Sequence, residues 1–150
     1  MSEQGSMTGE EGGLPVAPAP AERARLRAVL NALPEPVLLI GAERRIELAN
    51  PAAVDLLGPG LEGAQALAHL RQPESVAMLE AGFARLASNT APAGPFEARK
   101  IVSTASSETI YRLTVAPLAP EVGFSGLMVF FHDISHIEEA EQQRRDFVAN

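Results

Sequence analysis

Apolar residues between Ala21 and Leu33 recur as Leu26, Val29, Leu30 and Leu33, a spacing of i, i+3, i+4 and i+7. That is one stripe of an amphipathic helix, with Glu22, Arg23, Arg25 and Arg27 mostly off it. Pro34 and Pro36 stop the helix. Two short apolar runs follow, Val37 to Ile40 and Ile46 to Ala49, around the turn-like Gly41 to Arg45, and predict a β-hairpin. Asn50-Pro51 then offers an N-cap and a first-turn proline, so a helix starts there and ends at Gly58-Pro59. Leu61 to Ala87 reads as helical with a break at Gln72-Pro73, and Val76, Leu79, Phe83 and Leu86 form its buried stripe. Beyond the loop Ser88 to Pro95 the period falls to two. Strands are expected over Phe96 to Ser103, Thr109 to Leu118 and Gly126 to Phe131, with turns at Ser106-Ser107 and Pro120 to Gly123.

The last stretch, Ile134 to Asn150, has neither glycine nor proline. Ile137, Ala140, Arg144 and Phe147 fall at a and d positions, and Glu141 precedes Arg145 by four, the orientation that favours an ion pair. A helix this short is marginal alone and too poor in apolar surface for a core helix. Pairing with its copy in a second chain reconciles those facts. Strands segregated from helices in this order predict an α+β fold: one antiparallel five-stranded sheet, short helices on one face, and a helix at each end.

Composition narrows the chemistry. The 150 residues are 46% apolar, enough for one core, whereas Met1 to Pro20 is Gly, Ser, Pro, Ala and Glu with little to bury and reads as a disordered leader. With 19 acidic against 12 basic residues, a formal charge of -7 disfavours nucleic-acid and anionic-membrane partners. The chain contains no cysteine, which removes disulfides, thiolate metal sites and a cysteine nucleophile. No apolar run approaches the roughly 20 residues of a membrane span, and no signal peptide is evident, so a cytoplasmic location is expected. His132 and His136 are four apart but lack an evident third metal ligand. Ser103, Ser106 and Ser107 suit a turn better than a catalytic triad, and the glycines match no phosphate loop. Arg71, and after it Arg112, are the candidate ligand contacts; a solvated or ion-paired arginine is the plainer reading of both.

Val37, Ile46, Asn50, Ala52, Ala53, Leu56, Leu57 and Gly58 together resemble the opening hairpin and helix of a PAS domain. Phe130-Phe131-His132-Asp133-Ile134-Ser135 resembles its last strand running into the Asp-Ile-Thr/Ser signature that starts a signalling helix. Leu70-Arg71-Gln72-Pro73-Glu74 is similar to a stretch of phosphate-sensing (PhoR-type) histidine kinases, and Arg144 to Asn150 resembles the segment just before their phosphoacceptor box.

The resemblance implies a disordered leader over 1–20, an N-terminal helix over 21–33, a PAS domain over 34–134 and a coiled-coil signalling helix over 135–150. It further implies a sensory and dimerisation module of a two-component kinase, truncated before the phosphoacceptor histidine, so that this fragment is no enzyme and ATP concerns only the absent kinase domain. The parent would be anchored in the inner membrane or lack a span. Asp133, Ile134 and Ser135 would form the signalling motif. Ile137, Ala140 and Phe147 would form the seam of a homodimer as a parallel coiled coil, joined by Leu26, Val29, Leu30 and Leu33 if that stripe packs against the partner chain rather than its own sheet. Partners would be the downstream dimerisation domain and, for an interaction module, another protein. No cofactor is expected: haem would need a ligand such as His69, and cysteine-adduct flavin chemistry has no cysteine to use. The alternative is a ligand- or cofactor-binding sensor with an occupied pocket.

Overall fold

The computed structural model describes residues 15, 17–88, 96–103 and 108–149. Helix α1 (Pro20–Asn31) leads into strands β1 (Val37–Gly41) and β2 (Ile46–Ala49), then helices α2 (Pro51–Leu57), α3 (Ala66–His69) and α4 (Pro73–Ser88). Strands β3 (Phe96–Ser103), β4 (Glu108–Pro117) and β5 (Gly126–Asp133) follow, with a 3-10 turn at Pro120–Val122, and helix α5 (Ser135–Ala149) closes the chain. All pairings are antiparallel, in the order β2-β1-β5-β4-β3. The α+β class and the antiparallel sheet are thus as expected from the segregated strands. The Ser106-Ser107 turn, most of the loop to Pro95 and most of the leader lie outside the described residues.

Alternation along each strand divides the core in two. Leu38, Ile40, Leu113, Val115, Leu127, Val129 and Phe131 point to the face covered by α2, α3 and α4, where they meet Ala53, Leu61, Leu70, Leu79 and Phe83. Gly82 lets α4 approach closely, since a Cβ there would lie 2.9 Å from a Leu127 methyl. Val37, Leu39 and Leu48 point to the opposite face, where they enclose Leu30 of α1 and Phe124. Covered on both sides, β1 is buried along its whole length, which explains why it reads as an unbroken apolar run.

Two expectations are revised. Leu61 to Gln65 is not helical: Gly63 donates to the Ile46 carbonyl at 2.8 Å, Ile46 donates to that of Ala64 at 2.9 Å, and Arg45 pairs with Gln65. Gly63 has a φ of 88°, a left-handed conformation that glycine tolerates, so this segment hugs the exposed edge of β2 and leaves α3 a single turn. At the other end, structure begins before Ala21. The Pro15 carbonyl accepts a hydrogen bond from the Ser125 N–H at 2.7 Å, Pro18 is buried and α1 opens on Pro20, a residue suited to a first turn.

Candidate functional site

The arrangement with the clearest mechanical consequence lies where β5 becomes α5. Asp133 is the last residue of the strand, and its carboxylate accepts the Ser135 N–H at 2.9 Å, which caps the start of α5. The Ile134 N–H donates to the Ile110 carbonyl, and the Ser135 hydroxyl oxygen accepts the Ile110 N–H, each at 2.9 Å. One residue of β4 is therefore bonded through both of its backbone groups to the root of α5. Ile134 is buried beneath the junction, and the first turn closes on its carbonyl through Ile137 and Glu138 at 3.0 Å. Tyr111, opposite Asp133 in register, stands edge-on to Phe131 with ring centroids 6.0 Å apart. Burial, and then the nearby Asp133 carboxylate, raise its phenol above the ordinary value.

A second set of bonds joins the N-terminal helix to the same strand. Asn50 is fully buried and uses its whole amide. Its Oδ1 accepts the Val37 and Ala53 N–H groups at 2.9 and 3.0 Å, which caps α2 and anchors β1. Its Nδ2 donates to the carbonyls of Glu35 at 2.8 Å, Leu30 at 3.1 Å and Leu33 at 3.4 Å, gathering the end of α1 and the proline linker. From that linker the Glu35 carboxylate pairs with Nδ1 of His132, the residue before Asp133. Patterning identifies Asn50 only as a helix cap; its long-range bonds leave no local signal, and the same holds for Glu35 with His132.

Helix α1 is fixed by charge as well as by Leu30. Arg23 bonds the Glu47 carboxylate at 3.0 Å and its carbonyl. Arg27 makes a two-pronged pair with Glu62 at 2.8 and 2.9 Å, and Glu62 also accepts the Ala49 N–H at 3.1 Å. The Arg27 bond is the main cause that holds the Glu62 carboxyl below its usual range.

The other sequence candidates are dispersed. Arg71 is exposed and its Nε donates to the Ala68 carbonyl at 3.0 Å, while Arg112 is exposed on β4 opposite His132. His69 lies on α3 and His136 on α5; among the described residues no three His, Cys, Asp or Glu side chains cluster as metal ligands would. Of the N-terminal stripe proposed for a dimer seam, Leu30 is 5% exposed and Leu26 is half-buried, both against their own sheet. Of the two placements expected for the stripe, Leu26 and Leu30 thus take the one against their own sheet, beside the Arg23–Glu47 and Arg27–Glu62 pairs, while Val29 and Leu33 remain outside. On α5, by contrast, Ile137, Ala140 and Phe147 are all exposed. The expected Glu141–Arg145 pair is replaced by a bond from Arg145 to Gln142 at 2.9 Å. A groove of about 220 Å³ beside Glu35 is lined by Leu33, Pro34, Val37, Met128 and Phe130.

A family model described as a PAS domain matches residues 24–87, from α1 through α4. That match spans less than half of the chain. Its fold is similar to that of the PAS domain from Bordetella pertussis BvgS, with a TM-score of 0.59 and 20% identity over 86% of this chain and 98% of that one. It is also similar to the PAS domain of an HTR-like protein from Haloarcula marismortui, with a TM-score of 0.52 and 13% identity over 77% of this chain and 100% of that one. In this chain the space between the sheet and α2 to α4 is occupied by its own side chains, including Leu38, Leu61, Leu79 and Phe131, each 1% exposed or less. Among the described residues no helix is long and apolar enough to cross a membrane.

Proposed function

We propose that this chain is a PAS domain and serves as the sensory and dimerisation module of a two-component histidine kinase of the PhoR-like kind, relaying a signal through α5 to an autophosphorylation domain. The observation that carries the reading is the double bond set of Ile110 to Ile134 and Ser135, which ties the helix root to an interior strand of the sheet. A shift of β4 against β5 then moves the helix as a lever, and a cap of this kind contributes about 1 kcal/mol, comparable to the gap between two signalling states. The sequence from Arg144 to Asn150, similar to the approach to a kinase phosphoacceptor box, supplies the destination.

On this reading the domain is not an enzyme, ATP is used only by the kinase core, and the module works as a homodimer in the cytoplasm. The filled interior favours a domain that responds through dimer geometry or a protein partner over one that holds a cofactor. The test is a fusion of this chain to a histidine kinase core. Ser135→Ala and Asp133→Ala should each change the autophosphorylation rate severalfold while the circular dichroism spectrum of the isolated chain is preserved. Rates equal to that of the unaltered fusion would reject the relay. Native mass spectrometry of the isolated chain should show a dimer without added mass, and a stoichiometric adduct would favour the ligand-sensing alternative.

A further inference from the structure

The root of α5 is bonded to β4 through Ile110, and on its β5 side it carries an ionisable contact that this junction does not use. Residues 34–36, which link α1 to β1, are fixed at two backbone points. The Glu35 carbonyl accepts from Asn50 Nδ2 at 2.8 Å, and the Pro36 carbonyl accepts the Phe131 N–H at 3.0 Å. Held in this way, the Glu35 carboxylate meets Nδ1 of His132, 97 positions along the chain. His132 directly precedes Asp133, the cap of α5, so the contact joins the end of α1 to the start of α5. Alternation sets His132 on the outer face of the sheet, with Arg112 of β4 opposite it in register and Arg99 of β3 opposite Arg112. By the same alternation Asp133 and Tyr111 belong to the inner face, β1 carries no ionisable residue, and His136 follows on α5. Glu35 is thus the anion paired with this imidazole.

We propose that Glu35 and His132 form a proton-operated latch between the linker after α1 and the root of α5, closed in mildly acidic solution and loosened as the pH rises through neutrality. Imidazole is the side chain that ordinarily changes charge between about pH 5 and about pH 8, where carboxylates are ionised. On the acid side the contact is a charge-assisted bond between opposite charges. Once the proton leaves, the ring offers the carboxylate at most a neutral N–H, which is the weaker bond. Arg112 stays cationic throughout, so the charge that changes with pH is that of the imidazole. The two side chains are 39% and 42% exposed, which gives protons free access and keeps the pair weak enough to reverse. A groove of about 220 Å³, lined by Leu33, Pro34, Val37, Met128 and Phe130 beside Glu35, leaves this flank of the linker without close packing. The latch stands apart from the kinase reading, because it concerns this chain alone.

Amide hydrogen exchange of the full chain, read by NMR as protection factors between about pH 5.5 and about pH 8, tests this. The reporter is Leu33, whose N–H donates to the Leu30 carbonyl at 3.1 Å just before the linker. Its protection should fall about two- to fivefold across that range, while Leu39 on β1 keeps its own. Glu35→Gln and His132→Gln each retain a polar side chain at a half-exposed position and should give Leu33 the lower protection at every pH. His136→Gln should leave the fall unchanged. Protection at Leu33 that does not vary with pH in the parent, or varies equally in Glu35→Gln, would overturn the latch. So would a variation abolished by His136→Gln but kept in His132→Gln, since the proton would then sit elsewhere. An equal fall at Leu39 would also overturn it, by showing a loss of the whole fold rather than of one contact.

Discussion

The interior beneath α2 to α4 and the surface of α5 put similar residues to opposite ends. Phe131 on β5 is fully enclosed by the sheet, α4 and Tyr111, and Phe147, sixteen positions on, is almost wholly in solvent. The first region is complete within one chain. The second leaves Ile137, Ala140 and Phe147 exposed to solvent, beside the bonds that join Arg145, Gln142 and Asp146 within the helix. A module of this build carries its stability in one part and its variable contact in the other, so the contact can change without unfolding the domain.

The same truncation at the two phenylalanines is the most direct way to break this contrast. Phe131→Ala should destabilise the chain by about 3–5 kcal/mol, through lost burial and the cavity left behind, whereas Phe147→Ala should stay within about 0.5 kcal/mol. Urea unfolding at a concentration where the chain is monomeric provides the comparison; similar losses at both sites would mean that α5 folds back onto its own domain.

Asn50 sharpens the comparison from the other side of the sheet, since one buried amide there joins α1, the proline linker, β1 and α2. Asn50→Ala leaves two N–H groups and the linker carbonyls without their partner and should cost about 2–4 kcal/mol. Asn50→Asp should cost no less, because it sets a carboxylate oxygen against the carbonyls of Leu30, Leu33 and Glu35. Thermal unfolding of the two variants checks the order, and an aspartate variant close to the parent in stability would show that the Nδ2 bonds matter little.

These cases also show which parts of the molecule can be read along the chain. Strands β1 and β2 and the Asn50-Pro51 helix start are legible because periodicity and capping are local: each involves residues a few positions apart. The segment from Leu61 to Gln65 misleads because its backbone bonds go to β2, and an edge strand's unmet groups leave no trace in the sequence of the segment that meets them. The inward roll of Leu26 and Leu30 is similarly hidden. A helical stripe states that a face is buried but not by what, and here Arg23 with Glu47 and Arg27 with Glu62, pairs more than twenty positions apart, decide it.

A smaller effect is expected at the junction. Ser135→Ala removes the acceptor for the Ile110 N–H and should cost about 1 kcal/mol. The more telling readout is local: the Ile110 amide should exchange with solvent faster in this variant while amides of β1 keep their protection. Uniform loss of protection would mean that the junction is part of the global core, and the contrast between a stable body and a hinged helix would fail.

The smallest effect should appear at the α1 clasp, through pH. Arg27 holds the Glu62 carboxyl below its ordinary value of 4.5 in the folded chain, so its stabilisation is present in full above that value and is lost as pH falls through the lower folded value. The pair is more than a third exposed on both sides, which limits its worth and makes it sensitive to salt. Glu62→Gln removes the titrating group and leaves an amide oxygen for Ala49. The stability gap between the two proteins, followed from about pH 7 to about pH 3, should therefore close on acidification, and should narrow at neutral pH as salt is added. A gap that is constant with pH would mean that α1 is held by Leu30 and Asn50 alone, with the arginine pairs ornamental on an already seated helix.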